Sequence, residues 1–160
     1  MVIDCCLSYC HYSLNDTSLI DSDFIAFLEN RGIAFLNASA MSMGLLTKNG
    51  PPFWHPATDR IKQTCKMAVD YCNSQNVDIS KLALYFSLAN SRIPGTLVSM
   101  HSLEEVASNI AVIYQMPHIS EFELAILEHI RNTFLIPLNN ATWKGIEVEK
   151  YHNFIKNQSL

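Results

Sequence analysis

Three short apolar runs, each leading into a helix-like stretch, constrain this chain more than any other feature. Val2–Cys10, Ile33–Ala38 and Gly95–Met100 are rich in β-formers and too short for helices, so they read as buried strands. Between them lie helical patterns. The order is strand, helix, strand, long loop, two helices, strand, two helices. Crossovers of this length give parallel strands with right-handed connections. Three strands are too few for a parallel sheet to cover both faces and both edges. Doubly wound sheets and (β/α)8 barrels are both built this way. A barrel takes ~250 residues, more than the 160 present. The expectation is an α/β chain of about three β/α units plus extra helices, a piece of a larger α/β assembly in which a doubly wound sheet and a barrel both stay open.

The boundaries follow from local chemistry. Ser18 and Asp21 have capping-box spacing, and Phe24, Phe27 and Leu28 follow on one helical face, stopped by Gly32. Residues 41 to 57 form a long connection in which Phe53 and Trp54 predict a packed loop. Thr58 and Asp78 can cap the next two helices. Ser102 with Glu105, and Ser120 with Glu123, are two further capping boxes. Leu103, Val106, Ile110 and Ile113 predict a stripe facing the sheet. The tail from about 137 reads as irregular.

Composition removes several functions. Hydrophobic residues make up 49% and charged residues 16%, enough apolar side chain for a core. The formal net charge of −4, with no run of one sign, argues against a nucleic-acid partner. No stretch is long and apolar enough for a bilayer, so no membrane partner is expected. The N-terminus lacks the basic region of a signal peptide. Five cysteines, an odd number, then suggest free thiols in a reducing compartment and a cytoplasmic location. Glycosylation at the Asn15, Asn37 and Asn140 triplets is not expected in that setting.

Two places can hold a ligand. At Ser99–Ser102 a strand ends on a helix start, where unpaired N–H groups and the helix dipole favour an anion or a ribose. Glu105 in the first turn repels a phosphate monoester, so a neutral ribose is the better guest. An ordinary helix cap explains the same residues. At Ala38–Gly44 small residues let backbone approach a ligand, although a tight turn would do as well. Cys6, Cys10 and His11 do not share a strand face, so no metal site is expected. His55 reads as a packing residue. Tyr9, His11 and Tyr12 could move protons, but no partner for them is visible.

Longer strings carry a resemblance. Ser8–Asp16, Ala38–Thr47, Asn49–Pro52 with Trp54–Ala57, and Thr96–Val98 with Ser102–Val106 and Asn109 resemble the aldo-keto reductases, in the branch of the L-galactose and D-arabinose dehydrogenases. The likeness covers nearly the whole chain. It implies a (β/α)8 TIM barrel of which this chain is the C-terminal portion, residues 1–160 being a partial domain with strands six, seven and eight. It implies NAD or NADP, no metal, and hydride transfer to or from a sugar, aldehyde or alcohol. Tyr9 would lie by the nicotinamide. Ala38, Ser39, Ala40, Met41 and Gly44 would lie under nicotinamide and pyrophosphate. Ser99, Met100, His101, Glu105 and Asn109 would line the adenosine end. Glu105 stands where NADP-preferring members carry arginine, which favours NAD. Ala38, Ala40 and Ser99 stand where relatives often have tyrosine, proline and glycine.

The family's catalytic tyrosine, lysine, aspartate and histidine match no residue here. No catalytic residue is therefore assigned, and the chain alone is expected to be inactive. Two other readings stand beside this one. A non-catalytic relative could act by binding, or by pairing with another copy through an open sheet edge. A self-contained flavodoxin-like domain is the third.

Overall fold

The computed structural model describes residues 2–116, 119–146, 148, 149 and 153. Strand β1 (Cys5–Tyr9) is followed by short helices α1 (Ser18–Asp21) and α2 (Phe24–Glu29) and strand β2 (Ala34–Ala38). After a 3-10 turn at Ser42–Gly44 come α3 (Asp59–Ser74), α4 (Ile79–Leu88) and a short β3 (Thr96–Leu97). Helices α5 (Leu103–Gln115) and α6 (Glu121–Ile130) close the order, α6 running into a π-turn at Arg131–Leu135 and a 3-10 turn at Ile136–Leu138.

The sheet has the order β1-β2-β3, and both pairs are parallel. Cys5 pairs with Ala34 and Tyr9 with Ala38, while Asn37 pairs with Thr96 and Ala38 with Leu97. This register puts Cys6, Ser8, Phe35 and Asn37 on one face. Phe35 and Cys6 pack there with Ile25 and Leu28 of α2, Tyr12 and Phe86 of α4. The opposite face presents Leu7, Tyr9, Leu36 and Leu97, and Leu7, Tyr9 and Leu97 are exposed. A doubly wound sheet carries helices on both faces. Helices on one face and an open apolar surface on the other make an arc of a (β/α)8 barrel. Gly95 permits the approach of β3, since a Cβ there would stand 2.9 Å from Leu36 Cδ2.

The larger core lies outside the sheet, between α3, α4, α6 and the connection after β2. Ile61, Cys65, Ala68 and Cys72 of α3 meet Leu82, Ile126, Ile130, Leu45 and Leu46. Leu138 and Trp143 also enter this core. Burial pushes the thiols of Cys65 and Cys72 up to about 12 and about 11 respectively. The expectation for the tail beyond 137 falls partly outside the described residues.

Several boundaries differ from expectation. Ser18 does not cap: Asp16 Oδ1 accepts the Ser18 N–H at 2.9 Å, and this local turn displaces the capping box. The buried face of α2 is Ile25 and Leu28, whereas Phe24 and Phe27 are exposed and stack on each other. The loop is ordered, but not by its aromatic pair. Phe53 is 98% exposed, and Leu45, Leu46, His55 and Ala57 provide the burial. The α5 stripe does not face the sheet: Leu103 is 88% and Ile113 58% exposed. Because β3 is only two residues long, α5 docks on α4 instead, through Val112 against Leu84. Ser120 and Glu123 do form their capping box.

Candidate functional site

The strands' C-terminal ends, the turn after β2 and the start of α5 surround one groove of about 970 Å³. Tyr9, Ala38, Ser39, Ala40, Met41 and Gly44 line one part of it, and Ser99, His101, Glu105 and Asn109 another. Met100 is the exception. It lies between Ser99 and His101 on non-helical chain, and falls outside the lining.

Backbone geometry explains why the groove opens here. Cys10 (φ 64°) ends the run of β1, and Ser39 (φ 68°) ends β2, both in the left-handed region. Two strands thus turn sharply at one level, and the Cys10 N–H donates to Ala38 O at 3.1 Å. Ser39 Oγ accepts the Met43 N–H at 2.9 Å, so that hydroxyl shapes the turn. Gly44 has φ +94°, and a Cβ there would stand 3.2 Å from Gly50 O. Larger residues would force the Gly50 turn outward.

Beneath the groove a buried polar cluster fixes the turn. Ser42 Oγ lies 2.6 Å from Asn15 Oδ1 and 3.0 Å from Ser13 Oγ. His55 is 2% exposed. Its Nδ1 accepts from Ala57 N at 3.0 Å, which leaves Nε2 to donate to Ser42 O at 3.2 Å. Its ring meets Trp143 edge-on, so this histidine supports the groove from behind. Asn37 Nδ2 donates to Tyr12 O at 3.0 Å and ties β2 to the turn after β1. Burial of Asn15 and Asn37 leaves no room for a glycan at either.

The α5 rim is electrostatically defined. Ser102 Oγ accepts the Glu105 N–H at 3.1 Å. Glu105 Oε2 accepts the His101 N–H at 2.6 Å, one residue before the cap, so the expected reciprocal bond to Ser102 is absent. His101 Nδ1 lies 3.5 Å from the same oxygen. The rim therefore offers a carboxylate acceptor to hydroxyl groups. Lys48 lines the same groove and makes no ion pair among the described residues. Lys81 also lines the groove, held at 2.6 Å by Glu123. Burial raises the Glu123 carboxyl, but hydrogen bonds from Lys81 and Ser120 outweigh it and hold it below its ordinary value.

Lys48, Asn49, Ser80 and Lys81 escaped the reading of the sequence. Ser80 and Lys81 look like the first turn of a helix. Lys48 left a trace as the lone cation in an otherwise uncharged loop, and Asn49 only as part of the Asn49–Pro52 string. Tyr12 is not a groove residue: its hydroxyl accepts from Asn90 at 2.8 Å on the helix side. Burial raises its pKa against the opposing effects of Asn90 and Arg131. His11 does have a carboxylate near it, Asp16 Oδ2 at 3.6 Å, brought round by the Ser13–Asp16 turn. Among the described residues, no three His, Cys, Asp or Glu side chains are grouped to hold a metal. No described helix is long and apolar enough to cross a membrane.

Comparison with known proteins agrees with this geometry. The aldo/keto reductase family model matches residues 2–132. L-galactose dehydrogenase of Arabidopsis thaliana is 40% identical over 141 residues, covering 88% of this chain and 43% of that protein. D-arabinose 1-dehydrogenase of Saccharomyces cerevisiae is 26% identical over 149 residues, 89% of this chain and 44% of that protein. The chain spans less than half the length of either relative. A parallel sheet with helices on one face, joined to a family match over most of its length, sets aside the flavodoxin-like reading: the chain belongs to the aldo/keto reductase family.

Proposed function

We infer that the chain is the dinucleotide-binding arc of an NAD(P)-dependent sugar dehydrogenase, a partial domain formed by the last three strands of the barrel. The observation that carries this reading is the single groove joining the ends of all three strands to the first turn of α5. Its residues suit a nicotinamide dinucleotide. Leu7, Tyr9, Ala38 and Leu97 form an apolar end against which the nicotinamide packs. Lys48 supplies positive charge for the pyrophosphate. Ser99, His101, Glu105 and Asn109 take the adenosine ribose. When bound, the cofactor supplies the hydride. Glu105 accepts from ribose hydroxyls and repels a 2′-phosphate, which favours NAD over NADP.

The substrate class is a small aldose, in keeping with the sugars named for the two relatives. Proton transfer is assigned to parts of the barrel other than these three strands. The chain then binds NADH without turning over an aldose. The exposed thiol of Cys5 and the buried, unbridged thiols of Cys65 and Cys72 fit a reducing, cytoplasmic setting. Fluorescence titration tests the reading. NADH should saturate, NADPH should bind about tenfold or more weakly, and Glu105→Arg should reverse the order, since a charge-assisted contact is worth about 1.5–3 kcal/mol. Equal binding of both, or of neither, would contradict it.

One observation favours a second reading, in which the chain acts by pairing with a copy of itself. β1 is a sheet edge, and the face carrying Leu7, Tyr9 and Leu97 is open. Sedimentation velocity would then show a dimer that Leu7→Lys dissociates. A monomer at all concentrations would reject this reading.

A further inference from the structure

We propose that the hollow behind the Thr47–Pro51 turn is a separate binding site for a small phosphate ester. The hollow holds about 370 Å³ and lies between that turn and α3. Three lysines line it: Lys48, Lys62 and Lys66. The carboxylate among them, Asp70, is engaged by Lys66 at 2.5 Å. Lys48 and Lys62 make no ion pair with any described residue. Two lysines with no carboxylate partner among the described residues therefore border one hollow on a chain whose formal charge is −4.

That charge pattern selects the ligand class. A phosphate monoester is close to a dianion at neutral pH and answers both ammonium groups at once, whereas a single carboxylate answers one. The carboxamides of Asn49 and Gln63 add neutral donors at the same place. Beneath them the buried side chains of Leu45 and Val69 form the floor of the hollow.

The site is distinct from the dinucleotide groove but shares a wall with it. Thr47, Lys48 and Asn49 line both. The Lys48 ammonium serves one ligand at a time, so each ligand weakens the other, and the coupling is reciprocal. This consequence rests on the dinucleotide reading. Binding in the hollow does not.

Calorimetric titration of ribose 5-phosphate and inorganic phosphate into the 160-residue chain, in a phosphate-free chloride buffer, tests the proposal. The expected result is saturable binding at one site that weakens about tenfold or more in Lys62→Gln, which removes an unpaired ammonium group, and also weakens in Lys66→Gln, which leaves the Asp70 carboxylate unpaired beside the phosphate. NADH affinity in the same buffer should be unchanged in Lys62→Gln, and thermal melts of both variants verify their folding. The proposal is overturned if neither probe saturates, or if binding survives both substitutions undiminished. A chain that binds the phosphate probes and not NADH would overturn the dinucleotide reading alone. The reverse result would overturn the hollow alone.

Discussion

Individual residues of the groove are held by groups that do not face it. Ser42 shows this most clearly. It is fully buried, and its hydroxyl sits 2.6 Å from Asn15 Oδ1. Ser42→Ala leaves buried polar atoms of Asn15 and Ser13 with fewer partners. It should cost about 1–3 kcal/mol in denaturant unfolding, the range for an unsatisfied buried group. The thiols give a second residue-scale prediction. Cys65 and Cys72, at about 12 and about 11, should resist a disulfide reagent near neutral pH while exposed Cys5 reacts. Guanidinium should then release both. Equal labelling of all five thiols in the folded chain would show that the α3 core is open. The role of Ser42 could not be read from the sequence, because a serine in a glycine-containing stretch looks like a turn residue. His55 reads as a packing residue and the helical spacing of Cys65 and Cys72 as core, and all three are buried, but the partners of His55 are not visible in the sequence. Only the meeting of Ser13–Asn15 with Ser42 and His55, far apart in the chain, creates the cluster.

At the scale of elements, legibility tracked how local the cause was. The α3 cap at Thr58, the α4 cap at Asp78 and the Ser120–Glu123 box are set by neighbours within one turn, and all three are present. Ser120→Ala should cost about 1 kcal/mol. Glu123 links this element to α4 through Lys81. Its carboxyl is held below the ordinary 4.5, so its stabilising contribution is complete above that pH. The contribution is lost as pH falls below 4.5 through the lower native value. Acid titration of stability should show this slope in the natural chain and lose it in Glu123→Gln. What depended on distant partners was misread. The apolar spacing of α5 is real, yet the side chains that meet it are decided by the length of β3, which spacing does not encode. The Phe24–Phe27 pair shows the same limit on α2.

The whole molecule is asymmetric: helices cover one face of the sheet, and apolar side chains lie open on the other. The alternation of strands and helices made the parallel sheet legible, and the count of strands made an incomplete barrel legible. The position of the groove was partly legible, because strand ends and a helix start are visible in sequence. The contribution of Lys48 and Lys81 was not, because it requires the loop after β2 and α4 to be folded over the strand ends. The central claim is that this groove, and no other surface, holds the dinucleotide. Hydrogen–deuterium exchange with and without NADH tests it most directly. Protection should appear in the segments 38–49 and 99–109, with α6 unchanged. NADH binding that protects α6 or the helix-covered side, and leaves both groove segments unaltered, would contradict the account.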